Sequence, residues 1–140
     1  MASWGEFEAA EPRFAARVKK MMARRKHLTM ATLRRDGSPR ISGTEVEFAE
    51  GEVQIGSMPN ALKANDLRRD PRIAIHGPTQ DPSKSGRWRG EAKIAGCAFE
   101  FERDRFRIDM DEVVITSLGG RGLLIESWKP DRGYRKTDRE

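Results

Sequence analysis

The chain has one cysteine, two histidines and one tyrosine in 140 residues. Cys97 alone closes no intramolecular disulfide and builds no cysteine-rich zinc site. No stretch approaches the ~18 consecutive apolar residues of a membrane span. Residues 1–10 carry acids and no apolar core, so they do not read as a secretory signal. Long runs of one charge sign are also missing, which argues against a basic nucleic-acid tail. No Ser/His/Asp set and no metal-ligand spacing appears, so neither a nucleophilic triad nor a metal centre is expected. Together these absences point to a reducing cytoplasm.

What remains fits one domain spanning 1–140. Hydrophobic residues make up 36% and charged residues 35%, so apolar surface must be used sparingly and a homodimer would help to bury it. The net charge of +5 and pI near 9.7 favour anionic partners: phosphate cofactors, nucleic acid or acidic surfaces.

Pro12 opens a helix on which Phe14, Val18, Met21 and Met22 form one stripe. Residues 27–33 read as a strand, Asp36-Gly37 as a hairpin turn, and 39–48 as the next strand. Glu50-Gly51 turns into a third strand over 52–56, completing a three-stranded meander. Asn60 is a plausible N-cap for a short helix stopped by Asp70-Pro71. A strand over 72–76, a loop over 77–86, and a long strand over 87–101 with a bulge at Gly96 follow. Residues 112–118 and 123–128 read as a last hairpin. Residues 1–11 and 131–140 read as loose ends. The fold class is mainly β (α+β): antiparallel strands in a closed or split barrel, with an N-terminal helix and a short helix after the third strand.

The chemistry concentrates in residues 54–72. A strand ends at Gly56, Ser57 offers a hydroxyl, a helix opens at Asn60, and Lys63 lies on its first turn. Hydroxyl, free helix N–H groups and an ammonium together suit a phosphate. The same residues also fit a capped helix with a solvated lysine. Arg87-Trp88-Arg89 is either a strand end or a stacking platform for a base. Arg68, Arg69 and Arg72 are a solvated face or a grip for an anionic tail. His76 is a ligand contact or a structural hydrogen bond.

The order of Asp-Gly turn, Pro39-Arg40-Ile41-Ser42, Gly56-Ser57, Lys63 and then Asp66-Leu67-Arg68-Arg69-Asp70-Pro71-Arg72 resembles the pyridoxamine 5′-phosphate oxidase-like family. These are split β-barrel proteins that bind FMN or the deazaflavin F420. The resemblance implies that Ser57 and Lys63 hold the cofactor phosphate, with Gly56 and Met58 beside them. It implies that Arg40, Ile41, Ser42 and Gly43 line the ring and ribityl region. It implies a homodimer with cofactor at the interface, closed by Trp128 of the carboxy-terminal strand. Leu62 stands where many flavin-binding members place arginine. The arginine-rich substrate motif of true pyridoxine phosphate oxidases is not visible in 128–140, so that activity is not expected. The function implied is a flavin- or deazaflavin-dependent oxidoreductase acting on a small molecule. The alternatives are a non-catalytic cofactor-binding barrel and, behind it, a nucleic-acid-binding barrel.

Overall fold

The computed structural model describes residues 1–120 and 122–139. The sequence predicts a loose amino-terminal end; the structure corrects this. Ser3 accepts a hydrogen bond from the Glu6 N–H while the Glu6 carboxylate accepts from the Ser3 N–H. This capping box opens α1 (Trp4–Ala10), which buries Trp4 and Phe7. Pro12 opens α2 (Pro12–Met22) as expected, with the Phe14, Val18, Met21 and Met22 stripe buried.

β1 (Leu28–Leu33) and β2 (Pro39–Thr44) pair antiparallel across the Asp36-Gly37 turn. β2 does not continue to Phe48. Glu45 interrupts it, and β3 (Val46–Ala49) pairs instead with β4 (Glu52–Gly56). α3 (Leu62–Arg69) follows, then β5 (Arg72–His76), β6 (Glu91–Glu102) and β7 (Arg105–Leu118). The sheet order is β2-β1-β5-β6-β7-β4-β3. Both predicted turns of the meander are present, but its middle strand is two strands: residues 39–44 pair with β1, residues 46–49 pair with β4, and that second hairpin lies at the far end of the order. β2 and β3 are separated by one residue in the chain and by the whole sheet in pairing. A sheet whose ends are linked this tightly must curl upon itself, which gives the barrel.

The predicted bulge is present. Pairing between β6 and β7 shifts register at Ala95/Gly96, and a Cβ on Gly96 would stand 2.0 Å from the Asp109 carbonyl oxygen. β7 runs unbroken from Arg105 through the 112–118 segment read as the first half of the last hairpin. β8 (Leu123–Lys129) pairs with β7, and β9 (Gly133–Arg139) pairs with β8. β9 replaces the predicted carboxy-terminal tail. Its residues are almost all exposed, so backbone pairing forms it and its composition gives no sign of a strand. The core fills the barrel with Val53, Ile75, Ile94, Phe106 and Ile108, and extends under α1 and α2.

Candidate functional site

A cavity of about 970 Å³ opens at the β2–β3 seam. Gly43 and Thr44 reach it from the end of β2, Glu45 from the seam, and Val46 and Glu47 from β3. Gln54, Ile55 and Gly56 end β4 against it, followed by Ser57 and Met58, and Lys63 enters from the first turn of α3. The tight β6–β7 turn supplies Arg103, Asp104 and Arg105. Asp104 takes φ +62°, and its carbonyl accepts the Ser57 N–H at 2.8 Å, tying this turn to the end of β4.

Three features of the wall suit an anion. First, Lys63 Nζ donates to the Gly43 carbonyl at 2.7 Å and has no carboxylate within 4 Å among the described residues. Burial pulls its ammonium below the ordinary lysine pKa, which marks a cation short of counter-charge. Second, the Ser57 hydroxyl oxygen is shut off from solvent and has no hydrogen-bond partner among the described residues. Such an atom costs free energy until something satisfies it. Third, α3 begins without a side-chain cap. Ala61, not Asn60, is the N-cap, and Asn60 sits at φ +64° in the left-handed region that asparagine tolerates. The opposite side of the cavity is mixed in charge. Arg105 donates to Gln54 at 2.9 Å and lies 3.6 Å from Glu47, while Glu45 faces Lys26 and His27.

No protein-family model matches the chain, and no curated protein does. Solved structures do. A pyridoxamine 5′-phosphate oxidase-related, FMN-binding protein from Nostoc punctiforme superposes with a TM-score of 0.66 at 11% identity, over 93% of this chain and 96% of that one. PhzG from Burkholderia lata gives 0.64 at 11%, over 96% and 90%. A pyridoxinephosphate oxidase-family protein from Clostridium acetobutylicum gives 0.62 at 9%, over 86% and 97%. The fold is that of the pyridoxamine 5′-phosphate oxidase-like split barrels.

On this split barrel, the seam cavity gathers Gly43, Gly56, Ser57, Met58 and Lys63 of the residues expected from sequence. Among the described residues a Cβ on Gly56 would meet only the Asp104 carbonyl at 3.8 Å, so their packing does not demand glycine there. The other expected residues are placed elsewhere. Arg40 is spent on Asp66, with Nε 2.7 Å from Oδ2. Ile41 is 76% exposed and lines an apolar recess on the outer face of β1, β5 and β6. Ser42 is half-buried in β2 opposite Met30 and does not line the seam cavity. Trp128 is 4% exposed, with its ring 4.8 Å from that of Phe7. It belongs to the core of its own chain and does not line the seam cavity.

His76 lines the outer recess, with Nδ1 2.7 Å from the Gly77 carbonyl and Nε2 3.2 Å from Glu91. Cys97 is half-buried, and desolvation raises its thiol pKa, so it makes a poor nucleophile. Trp88 donates its Nε1–H to the Gln80 carbonyl at 2.9 Å, which holds the ring in the loop. Arg68, Arg69 and Arg72 each pair with an acid. The sequence reading includes Gln54 in its chemical stretch, takes Glu45 and Glu47 as one face of a strand, and misses the Arg103–Arg105 turn. The alternation of β4 is a signal for Gln54; the turn carries no glycine to announce it.

Proposed function

We propose that this chain binds a phosphorylated flavin or deazaflavin, FMN or F420, in the seam cavity and serves as an oxidoreductase for a small molecule. The observation that carries this reading is the pair of Lys63, short of counter-charge, and Ser57, short of a partner, on one cavity wall. A phosphate oxygen supplies what both lack, once the Ser57 side chain turns its hydroxyl, closed to solvent here, into the cavity. The Nostoc protein of like fold is described as FMN-binding, which supports the same cofactor class. Leu62 in place of arginine removes one phosphate fork and leaves F420 as open as FMN.

When bound, the cofactor ring supplies the hydride chemistry. The chain's part is to bind and orient. Lys63 and Ser57 anchor the phosphate, and the strand ends at Gly43 and Gly56 bound the remaining space. The proposed assembly is a homodimer. The outer recess of about 590 Å³, where Ile41 stands exposed beside Ala31 and Ala95, supports it. No helix among the described residues is long and apolar enough to cross a membrane. A reducing cytoplasm remains part of the proposal, as does the lack of true pyridoxine phosphate oxidase activity.

Titration of the purified chain with FMN and with F420, followed by fluorescence or heat, tests the reading. Saturable binding of one of them below millimolar is expected; binding of neither overturns it. Binding without reductant-dependent turnover would assign a cofactor-carrying barrel instead of an enzyme. Sedimentation tests the dimer, and a stable monomer at micromolar concentration removes it.

A further inference from the structure

Some arginines of this molecule face acids. Arg17, Arg40, Arg68, Arg72 and Arg107 each lie within 4 Å of a carboxylate. One group does not. Where α2 ends and the β5–β6 connection passes over it, Arg25, Arg87 and Arg89 line a recess of about 500 Å³, and none has a carboxylate within 4 Å among the described residues. We propose that this recess is a second anion site, separate from the seam cavity, that takes a phosphate group.

The connection is built to present these side chains. The Ser83 N–H donates to the Arg87 carbonyl and the Gly86 N–H to the Ser83 carbonyl, both at 2.8 Å. The Arg87 N–H donates to Ser83 Oγ at 3.2 Å. Trp88 is tethered through its indole N–H, while Arg87 and Arg89 on either side of it are exposed. Like charge is already crowded here. Burial and then the charge of Arg89 lower the Arg24 guanidinium pKa, while Arg24 donates to the Gly90 carbonyl. A bound anion relieves that repulsion.

Charge count and donor type select the ligand. Three guanidinium groups against one carboxylate, Asp81, leave two positive charges on the wall. A phosphate monoester is close to a dianion at neutral pH. Guanidinium forks match its oxygens two at a time, and Thr79, Gln80 and Ser83 add neutral donors. The two cavities share no lining residue, so the sites are separable. A nucleic-acid strand fits less well, because the Trp88 ring that would stack a base is anchored in the loop.

The test uses the full chain in a Lys63→Ala background, which silences the seam cavity. Inorganic phosphate and phenyl phosphate are titrated by calorimetry, and the two arms distinguish the free ion from an ester. One saturable phosphate per chain is expected, weakened at least 10-fold by R87A/R89A. Removing two exposed cations elsewhere, in R13A/R135A, should leave it unchanged. Unchanged melting temperatures verify folding. The proposal is overturned if the background shows no saturable binding, if R87A/R89A binds like its parent, or if R13A/R135A loses as much. It is also overturned if only single-stranded nucleic acid binds, with affinity falling steeply in salt.

Discussion

Arg40 on β2 holds Asp66 on α3 through an Nε–Oδ2 contact of 2.7 Å. Asp66 is buried and also accepts from Thr32 Oγ1 at 2.7 Å and Arg69 Nη2 at 3.0 Å. Burial alone would raise this carboxyl's pKa, but the hydrogen bonds from Arg40, Thr32 and Arg69 outweigh it and hold the pKa below the ordinary value. The cluster fastens the helix that carries Lys63 to the strands beside it. Asp66→Ala strips three donors of their acceptor and should cost roughly 3–5 kcal/mol. Urea unfolding measures this. A loss below about 1 kcal/mol means that the cluster does not hold α3.

Lys63→Ala should weaken cofactor binding on the order of 10- to 100-fold, because a hydrogen bond to a charged group is worth roughly 1.5–3 kcal/mol. Ser57→Ala should act in the same direction and less strongly. Unliganded stability should barely move for Lys63→Ala. Arg35→Ala, in the β1–β2 turn, should leave affinity untouched. Parent-like binding by Lys63→Ala places the cofactor elsewhere.

Arg17 grips Glu126 with both terminal nitrogens, at 2.7 and 2.8 Å, and Tyr134 donates to the same carboxylate. The Arg17 hydrogen bond leads in holding the Glu126 pKa below its ordinary value. A depressed folded pKa stabilises fully above the unfolded pKa of about 4.3 and is lost as pH falls through the folded value. Asp70 and Glu100, each held at about 2 by arginine hydrogen bonds, act in the same window. Melting temperature should therefore hold from pH 7 to 5 and fall from about pH 4 toward 2. In Arg17→Ala the buried carboxylate loses its cation and its folded pKa rises. That variant should lose roughly 2–3 kcal/mol at pH 7, below the fully buried case because Arg17 is half exposed. It should regain stability on acidification to pH 5. Thermal melts across pH show whether the slope changes sign.

Trp128→Ala separates a core role from a site role. Deleting a buried tryptophan costs about 3–5 kcal/mol. Trp128→Phe should keep much of that stability and bind cofactor like the parent. Affinity lost in Trp128→Phe without destabilisation would return Trp128 to the site.

Legibility in the sequence followed the strength of local chemistry. The turns at Gly37 and Gly51 could be read because both residues take positive φ. Ser57 and Lys63 could be read because a strand end followed by a helix start brings a hydroxyl and an ammonium together. The break at Glu45 could not, since Val46 and Phe48 continue the alternation of β2 without a proline or glycine. The β6–β7 turn hides behind Asp104, which adopts a glycine-like φ without being glycine. The contact of Trp128 with Phe7 could not be read, because Phe7 lies on a helix marked in the sequence by Ser3 with Glu6. The pairing of Arg40 with Asp66 could not be read, because the two are 26 residues apart.

The one-residue link at Glu45 also sets an order of events in time. β3 and β4 form a two-stranded hairpin whose next neighbour, β7, begins ~50 residues later, and an isolated hairpin is marginal in water. On a ribosome adding roughly 5–20 residues per second, that hairpin waits about 3–10 s for its template. Meanwhile β1 and β2 have each other, so the growing chain carries one finished edge and one pending edge on either side of a single peptide unit. Pulse-labelled hydrogen exchange during refolding should find β3 and β4 amides protected together with β7 and later than β1 and β2. The cavity at that joint, with Lys63 beside it, exists only once the last closure is made.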